Sequence, residues 1–441
     1  MAVIALAGPP ALLLVDTAAA LMRGWRCDAR LDLLGGALVL GILVAVAIVR
    51  VLSRGRVLLA HFAPQICLAS LATIFSLVAA ELAIQMLLPG LEPPVHLRQP
   101  SQHALNRLAP GVMRGITGES RTVINSQGVR GSEMPAAANR YAVVCLGGSS
   151  TNCTYLDQSE TWPAVLEQNL QAANPVRQCW VGNVGIPSLA THEHLKFLNE
   201  SSLPKQVDCV IVQAGINDFM QAIAPQRPTP PYWTRSQLWR LINTVARRYL
   251  NSVDILVEDD AGASYVRRRA QRSAADKATT LPDLQEPLAD YVQRFRAIIA
   301  RCKELGVRLV VTSQPVLWTT DANPENEKLF WFGRTGSNQY LATPPLREGM
   351  DEYNRATRQA CEELDVEFID LAEFNGRDEI FYDDCHFTEE GARQVARRIA
   401  DYLLAHPAPK GGKAGSWEGG KRAEFRDPPT VRSSHLPKAN P

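Results

Sequence analysis

Four short stretches of this chain hold groups able to carry out acyl chemistry. GGSST at 147–151 closes the apolar run YAVVCLG and places a hydroxyl, Ser149, behind two glycines that permit a tight turn and close approach of a substrate. A serine hydroxyl is unreactive until a base removes its proton. DDCH at 383–386 supplies that base in His386, and Asp383, three residues earlier, can accept the other ring N–H and fix tautomer and orientation. Between them, NVGIP at 183–187 offers the Gly185 N–H and GIND at 215–218 offers the Asn217 side-chain amide. With the Ser149 N–H these make three donors for an oxyanion. Taken singly, Gly185 reads equally as a strand-end turn, and Asn217 with Asp218 as a turn or helix cap.

Taken together, the stretches resemble the blocks of the SGNH, or GDSL-type, hydrolase superfamily. GGSST stands at the first block with Ser149 as nucleophile, Gly185 at the second, GIND with Asn217 at the third, and DDCHF with Asp383 and His386 at the last, covering about Tyr141 to Ala405. Gly148 departs from the pattern, since many members carry Asp there. GxSxG, the signature of the ordinary α/β-hydrolase fold, is absent because Thr151 stands where its second Gly would be. The resemblance implies acyl-ester chemistry through an acyl-Ser149 intermediate, with no metal or organic cofactor.

Elements that would position these residues are legible in the same segment. YAVVCLG (141–147), QCWVGNVG (178–185), VDCVIVQAG (207–215), VRLVVTSQP (307–315) and VEFIDL (366–371) are short, β-branched and bounded by turn residues, as buried parallel strands are. Helical periodicity separates them: Trp162, Val165, Leu166 and Leu170; Leu288, Val292, Phe295, Ile299 and Cys302; and Val395, Ile399 and Leu403 behind a Thr388 cap. This predicts an α/β domain at 141–406 built on a doubly wound, five-stranded parallel sheet, flavodoxin-like in the fold the resemblance implies. Ligands bind at the carboxyl ends of such strands, where every candidate falls.

Two insertions, near 219–282 and 316–348, interrupt the pattern. They carry Tyr232, Trp233 and Trp239, then Trp318, Phe330, Trp331, Phe332 and Tyr340, which either stack on a substrate or plug the insertions onto the domain. Arg267, Arg268, Arg269 and Arg272 read most simply as a solvated helix face. Nine cysteines form no CxxC or Cys/His cluster, so no zinc site is indicated. Cys153 and Cys385 must approach each other if His386 reaches Ser149, which leaves open a disulfide or a pair of buried thiols.

Before the domain, Leu33–Val49 and Phe62–Leu91 can each span a bilayer, and Ala2–Leu21 is a weaker third candidate, giving a membrane anchor over 1–92 with two or three helices. Arg50, Arg54 and Arg56 place the intervening loop in the cytoplasm and the domain outside, periplasmic in a bacterium. Residues 93–140 read as an extended collar and 407–441 as a disordered tail. A net charge of +1 gives no reason to expect nucleic acid as a partner. The expected function is a membrane-embedded ester hydrolase acting on an acetylated glycan or lipid. An O-acyltransferase for an envelope polysaccharide and a non-catalytic glycan-binding protein are the alternatives.

Overall fold

In the computed structural model, residues 57–87, 98, 102–136, 139–224, 236–238, 241, 255–321, 323–336 and 338–407 are described. The first element, α1 (Val57–Leu87), contains Cys67–Met86, the one helix among the described residues long and apolar enough to cross a membrane. Leu68, Leu71, Phe75, Leu77 and Met86 face outward from it, an arrangement stable only under apolar cover. Candidate spans 33–49 and 2–21, and the tail from 408, lie outside the described residues.

After α1 come β1 (His103–Leu108), β2 (Glu119–Val123) and β3 (Arg140–Gly147), the last followed by the one-turn helix α2 (Ser149–Asn152). The chain continues through α3 (Trp162–Ala173), β4 (Gln178–Asn183), α4 (Thr191–Glu200), β5 (Cys209–Gln213) and α5 (Ile216–Ile223). The first insertion contributes β6 (Ile255–Ala261), α6 (Ala263–Ala274) and β7 (Asp276–Ala278), and α7 (Gln285–Leu305) and β8 (Arg308–Thr312) follow. The second insertion carries α8 (Pro324–Glu327) and β9 (Gln339–Leu341). The chain ends on α9 (Thr343–Glu363), β10 (Glu367–Ile369) and α10 (Glu389–Ala405).

The central sheet has the order β10-β8-β5-β3-β4 with every neighbour parallel. Its five strands are those read from the sequence, four of them trimmed where the turn residues begin and β3 starting one residue earlier, at Arg140. Every residue of β5 is buried, as a strand covered on both faces requires. The helices form two packed groups, α3 with α10 and α7 with α4 and α9, consistent with crossovers covering both faces. Strand order reverses between β3 and β5, so the crevice where ligands bind opens beside the carboxyl end of β3, next to Ser149.

Residues 93–140, expected as an extended collar, carry two strands of a second sheet. β1 pairs antiparallel with β2 and parallel with β6 of the first insertion, in the order β2-β1-β6. Arg130, in the loop that follows, is fully buried. Its guanidinium donates to the carbonyls of Asn152 (2.5 Å), Cys153 (3.0 Å) and Leu156 (2.8 Å) and to Gln158 Oε1 (3.1 Å), holding the chain just past α2. The two insertions join through the parallel pair β7–β9. Glu81 of α1 is buried and accepts hydrogen bonds from Ser236 Oγ (2.7 Å) and the N–H groups of Gln237 and Leu238 (both 2.8 Å), tying the first insertion to the apolar helix.

Candidate active site

β3 delivers Gly147, and the chain turns at Gly148 into α2, ended by Cys153 in the left-handed region at φ 52°. A side chain at Gly148 would collide with the Asn217 amide, so the departure from Asp at this position makes room for a group expected to work in the site. Ser149 is half-buried at the start of α2, where backbone N–H groups have no intrahelical acceptor.

His386 and Asp383 come from the turn before α10, and both are buried. His386 Nε2 lies 2.7 Å from Ser149 Oγ, and Nδ1 lies 2.7 and 2.8 Å from the two Asp383 oxygens. With a carboxylate at Nδ1 that nitrogen carries the proton, and Nε2 accepts from the serine hydroxyl. Asp383 Oδ1 also accepts the N–H groups of Cys385 (3.1 Å) and His386 (2.9 Å), which fixes the turn, while Oδ2 accepts Trp331 Nε1–H (2.9 Å). Burial alone would raise the Asp383 carboxyl, but the His386 charge and these donors hold it below the ordinary carboxylate value. Burial opposes a charged His386, yet the facing Asp383 carboxylate outweighs it and raises the imidazole well above its ordinary value.

Of the three expected oxyanion donors, one is already engaged in a hydrogen bond within the fold. Asn217 opens α5 and spends one amide hydrogen on the Leu189 carbonyl (2.8 Å), retaining a second. Its neighbour Asp218 accepts from Thr191 N (3.2 Å) and Thr191 Oγ1 (2.5 Å) and locks the start of α5 onto the start of α4. The Gly185 N–H points instead at Asn183 Oδ1 (2.9 Å), whose amide in turn donates to the Thr151 carbonyl (2.8 Å). This side-chain contact over two residues turns Gly185 into a brace for the back of α2.

Cys153 and Cys385 flank Ser150, as their proximity to the site requires, and both are buried free thiols. Burial pushes the Cys153 thiol up to about 11 and raises Cys385 as well, the behaviour of inert packing residues. Among the described residues, Asp383, Cys385 and His386 form the one group of donors close enough to share a metal ion, within 4.8 Å. Their atoms already serve the Asp–His pair, and a metal there would have to displace those bonds.

Sequence reasoning left unassigned the residues behind this pair. Asp384 is fully buried and accepts from the Trp331 N–H (2.8 Å), the Phe332 N–H (3.4 Å) and Trp318 Nε1–H (2.9 Å), pinning the second insertion behind the catalytic turn. Burial and the adjacent Asp383 charge push its carboxyl up to about 6. Trp318 and Phe332 are thereby plugs, whereas Trp331 also touches Asp383 and stays half-buried. Of the arginine run, Arg267 and Arg268 are exposed as a solvated face requires, but Arg269 and Arg272 turn inward. Arg269 donates to the carbonyls of Leu329, Val112 and Tyr382, Arg272 is buried against the Phe332 carbonyl, and Arg268 lies over the Trp331 ring. The doubled acid in DDCH was the visible signal for Asp384. The arginine contacts had none, because all their partners are backbone carbonyls or rings from distant segments.

The chain matches the GDSL-like Lipase/Acylhydrolase family over residues 145–394. Comparison with curated proteins finds no match. Among solved structures it is similar to LAE5, an α/β-hydrolase enzyme from the metagenome of Lake Arreo, Spain, at 15% identity over 64% of this chain and 99% of that one, with a TM-score of 0.36. It is similar too to the acetyl xylan esterase AlAXEase, at 12% identity over 59% and 99% with a TM-score of 0.34. Axe2, an acetylxylan esterase from Geobacillus stearothermophilus, shares 17% identity over 62% and 98% with a TM-score of 0.36. Spanning the sheet, the serine turn and the Asp–His turn, the family match identifies this chain as a member of the GDSL-like lipase/acylhydrolase family and an SGNH-type esterase.

Proposed function

We propose that the protein is a membrane-anchored serine ester hydrolase that cleaves acyl esters, O-acetyl foremost, through a covalent acyl-Ser149 intermediate. The observation that carries this reading is the 2.7 Å contact of His386 Nε2 with Ser149 Oγ, continued to Asp383 on the other ring nitrogen. Ser149 Oγ attacks the ester carbonyl carbon while its proton passes to His386 Nε2. The Ser149 N–H and the second hydrogen of the Asn217 amide receive the negative oxygen. Collapse breaks the bond to the alcohol oxygen, which takes the proton from His386, and water repeats the cycle to release the acid. A sugar hydroxyl in place of that water would make the same centre a transferase, and free acetate against acetylated acceptor in the products separates the two.

Preference for a short acyl group rests on the small depression beside the Asn217 amide, lined by Gly148, Leu189, Ile216 and Asn217. Anchoring rests on α1, with the span at 33–49 and the outward orientation following from the loop arginines. Ser149→Ala is expected to abolish both hydrolysis of a chromogenic acetyl ester and labelling by a fluorophosphonate, with Ser150→Ala retaining labelling. Unchanged labelling of Ser149→Ala would overturn the assignment. Protease added to intact spheroplasts should remove the domain, and protection until the membrane is permeabilised would reverse the orientation.

A further inference from the structure

In ester cleavage the base must return its proton to the departing alkoxide, so the alcohol half of the substrate leaves past His386 Nε2, away from the donors that hold the acyl oxygen. Aromatic rings surround the His386 imidazole. Tyr382 stacks on the His386 ring at 5.5 Å and 12°, and Trp331 lies parallel to it at 6.4 Å and 2°. Tyr265 meets Trp331 edge-on at 5.3 Å, and Tyr155 meets Tyr265 edge-on at 5.8 Å. Tyr265 and Tyr382 are buried, which leaves Trp331 and Tyr155 as the half-buried faces.

Over Trp331 lies the Arg268 guanidinium, its Cζ 4.6 Å from the ring centroid and 5.6 Å from that of Tyr265, on a side chain open to solvent. On α6, Arg269 is committed to three carbonyls and Arg272 is buried with one nitrogen on the Phe332 carbonyl, whereas Arg268 is open to solvent. Among the described residues Arg268 has no carboxylate or carbonyl partner, so an unpaired positive charge stands over the rings around His386. Held over an indole, a guanidinium keeps its N–H fork free for a carboxylate or phosphate. Glu258, exposed on β6, opposes Arg268 at the Tyr155 hydroxyl.

We propose that Arg268, with Trp331 and Tyr155, forms a subsite for an oxyanion carried on the alcohol half of the ester. The idea rests on Ser149 as nucleophile, which fixes the side from which the alcohol departs. The subsite's natural ligand is a ring-bearing alcohol with a carboxylate or phosphate near the esterified oxygen, the ring against the aromatic wall and the charge on Arg268.

The test uses the full chain in detergent and three probes: 3-acetoxybenzoate, its neutral methyl ester, and 3-acetoxyphenyl phosphate. Wild type should favour an anionic probe over the neutral one by about tenfold in kcat/KM, the scale of one charge-assisted contact. That ratio should fall toward one in Arg268→Gln, chiefly through KM, and recover in part in Arg268→Lys. The anion with the larger ratio names the oxyanion. Equal ratios in wild type and Arg268→Gln overturn the subsite. Calorimetric binding of the product 3-hydroxybenzoate reads the same contact without turnover, and equal affinity in the two proteins overturns it too. If Ser149→Ala hydrolyses the probes like wild type while the Arg268 effect on product binding persists, the nucleophile assignment has failed and the anion site has not.

Discussion

Trp331 donates its indole N–H to the Asp383 oxygen that also faces His386, so the carboxylate is oriented from the second insertion as well as from its own turn. Trp331→Phe keeps the ring and removes one hydrogen bond, and kcat is expected to fall about tenfold, the equivalent of roughly 1.4 kcal/mol. Steady-state kinetics on an acetyl ester checks this, and an unchanged kcat would reduce Trp331 to packing. Asp383→Asn should cost far more, on the order of 10⁴-fold in turnover, because the amide no longer enforces the required tautomer. It should also move the pH profile. Only neutral His386 accepts the serine proton, and the Asp383 charge raises its pKa, so the acid limb of wild-type kcat/KM lies above the ordinary histidine range. Removing that charge leaves burial, which lowers the imidazole, and the limb should shift to lower pH in Asp383→Asn. A limb that stays in place would mean that another group titrates. Ser149, Asp383, His386 and Asn217 could be found in sequence because each follows a strand end. The engagement of Gly185 by Asn183 could not, since it depends on where one amide rotates.

Asp384 holds the second insertion as a linchpin holds a wheel, with three donors from Trp318, Trp331 and Phe332 on one buried carboxyl. Its carboxyl, pushed up to about 6 from an ordinary 3.8, binds a proton more tightly folded than unfolded. Its contribution to stability is therefore full below about pH 4 and is lost as pH rises through about 6. Asp384→Asn should remove that component from the denaturant midpoint measured between pH 4 and 7, and an unaltered pH profile would exclude Asp384 as its source. Arg130→Met should lower domain stability by about 3 kcal/mol, because the backbone carbonyls it serves lose a buried cationic donor. Urea unfolding checks the value. The five core strands were readable from β-branched runs between turn residues. The small sheet was not: His103–Leu108 and its parallel partner Ile255–Ala261 are separated by about 150 residues, and the latter ends in four consecutive acidic or small residues, EDDA being a poor strand signal.

At the scale of the whole molecule, the apolar helix and the catalytic domain are joined by Glu81 as well as by the chain. Sequence showed Glu81 as a lone acid in an apolar run and gave no partner for it, because that partner lies in an insertion about 150 residues later. Ser236, Gln237 and Leu238 satisfy the carboxylate with one hydroxyl and two backbone N–H groups, the pattern of a cap at the start of a helix. Glu81→Leu is expected to leave α1 helical and to expose the chain at residues 236–238 to limited proteolysis, while wild type resists there. Equal cutting of both would show that the contact does not hold the insertion. Because α1 leaves the ribosome long before Ser236 exists, the acid must wait unpaired, apart from Gln85, until the insertion is made. Biogenesis is thereby ordered: the apolar helix is made carrying an unmet hydrogen-bond demand, and folding of the hydrolase domain is the event that meets it. A truncated chain ending before residue 236 should accordingly be a better target for quality-control proteolysis than the full protein, and Glu81→Leu should rescue it.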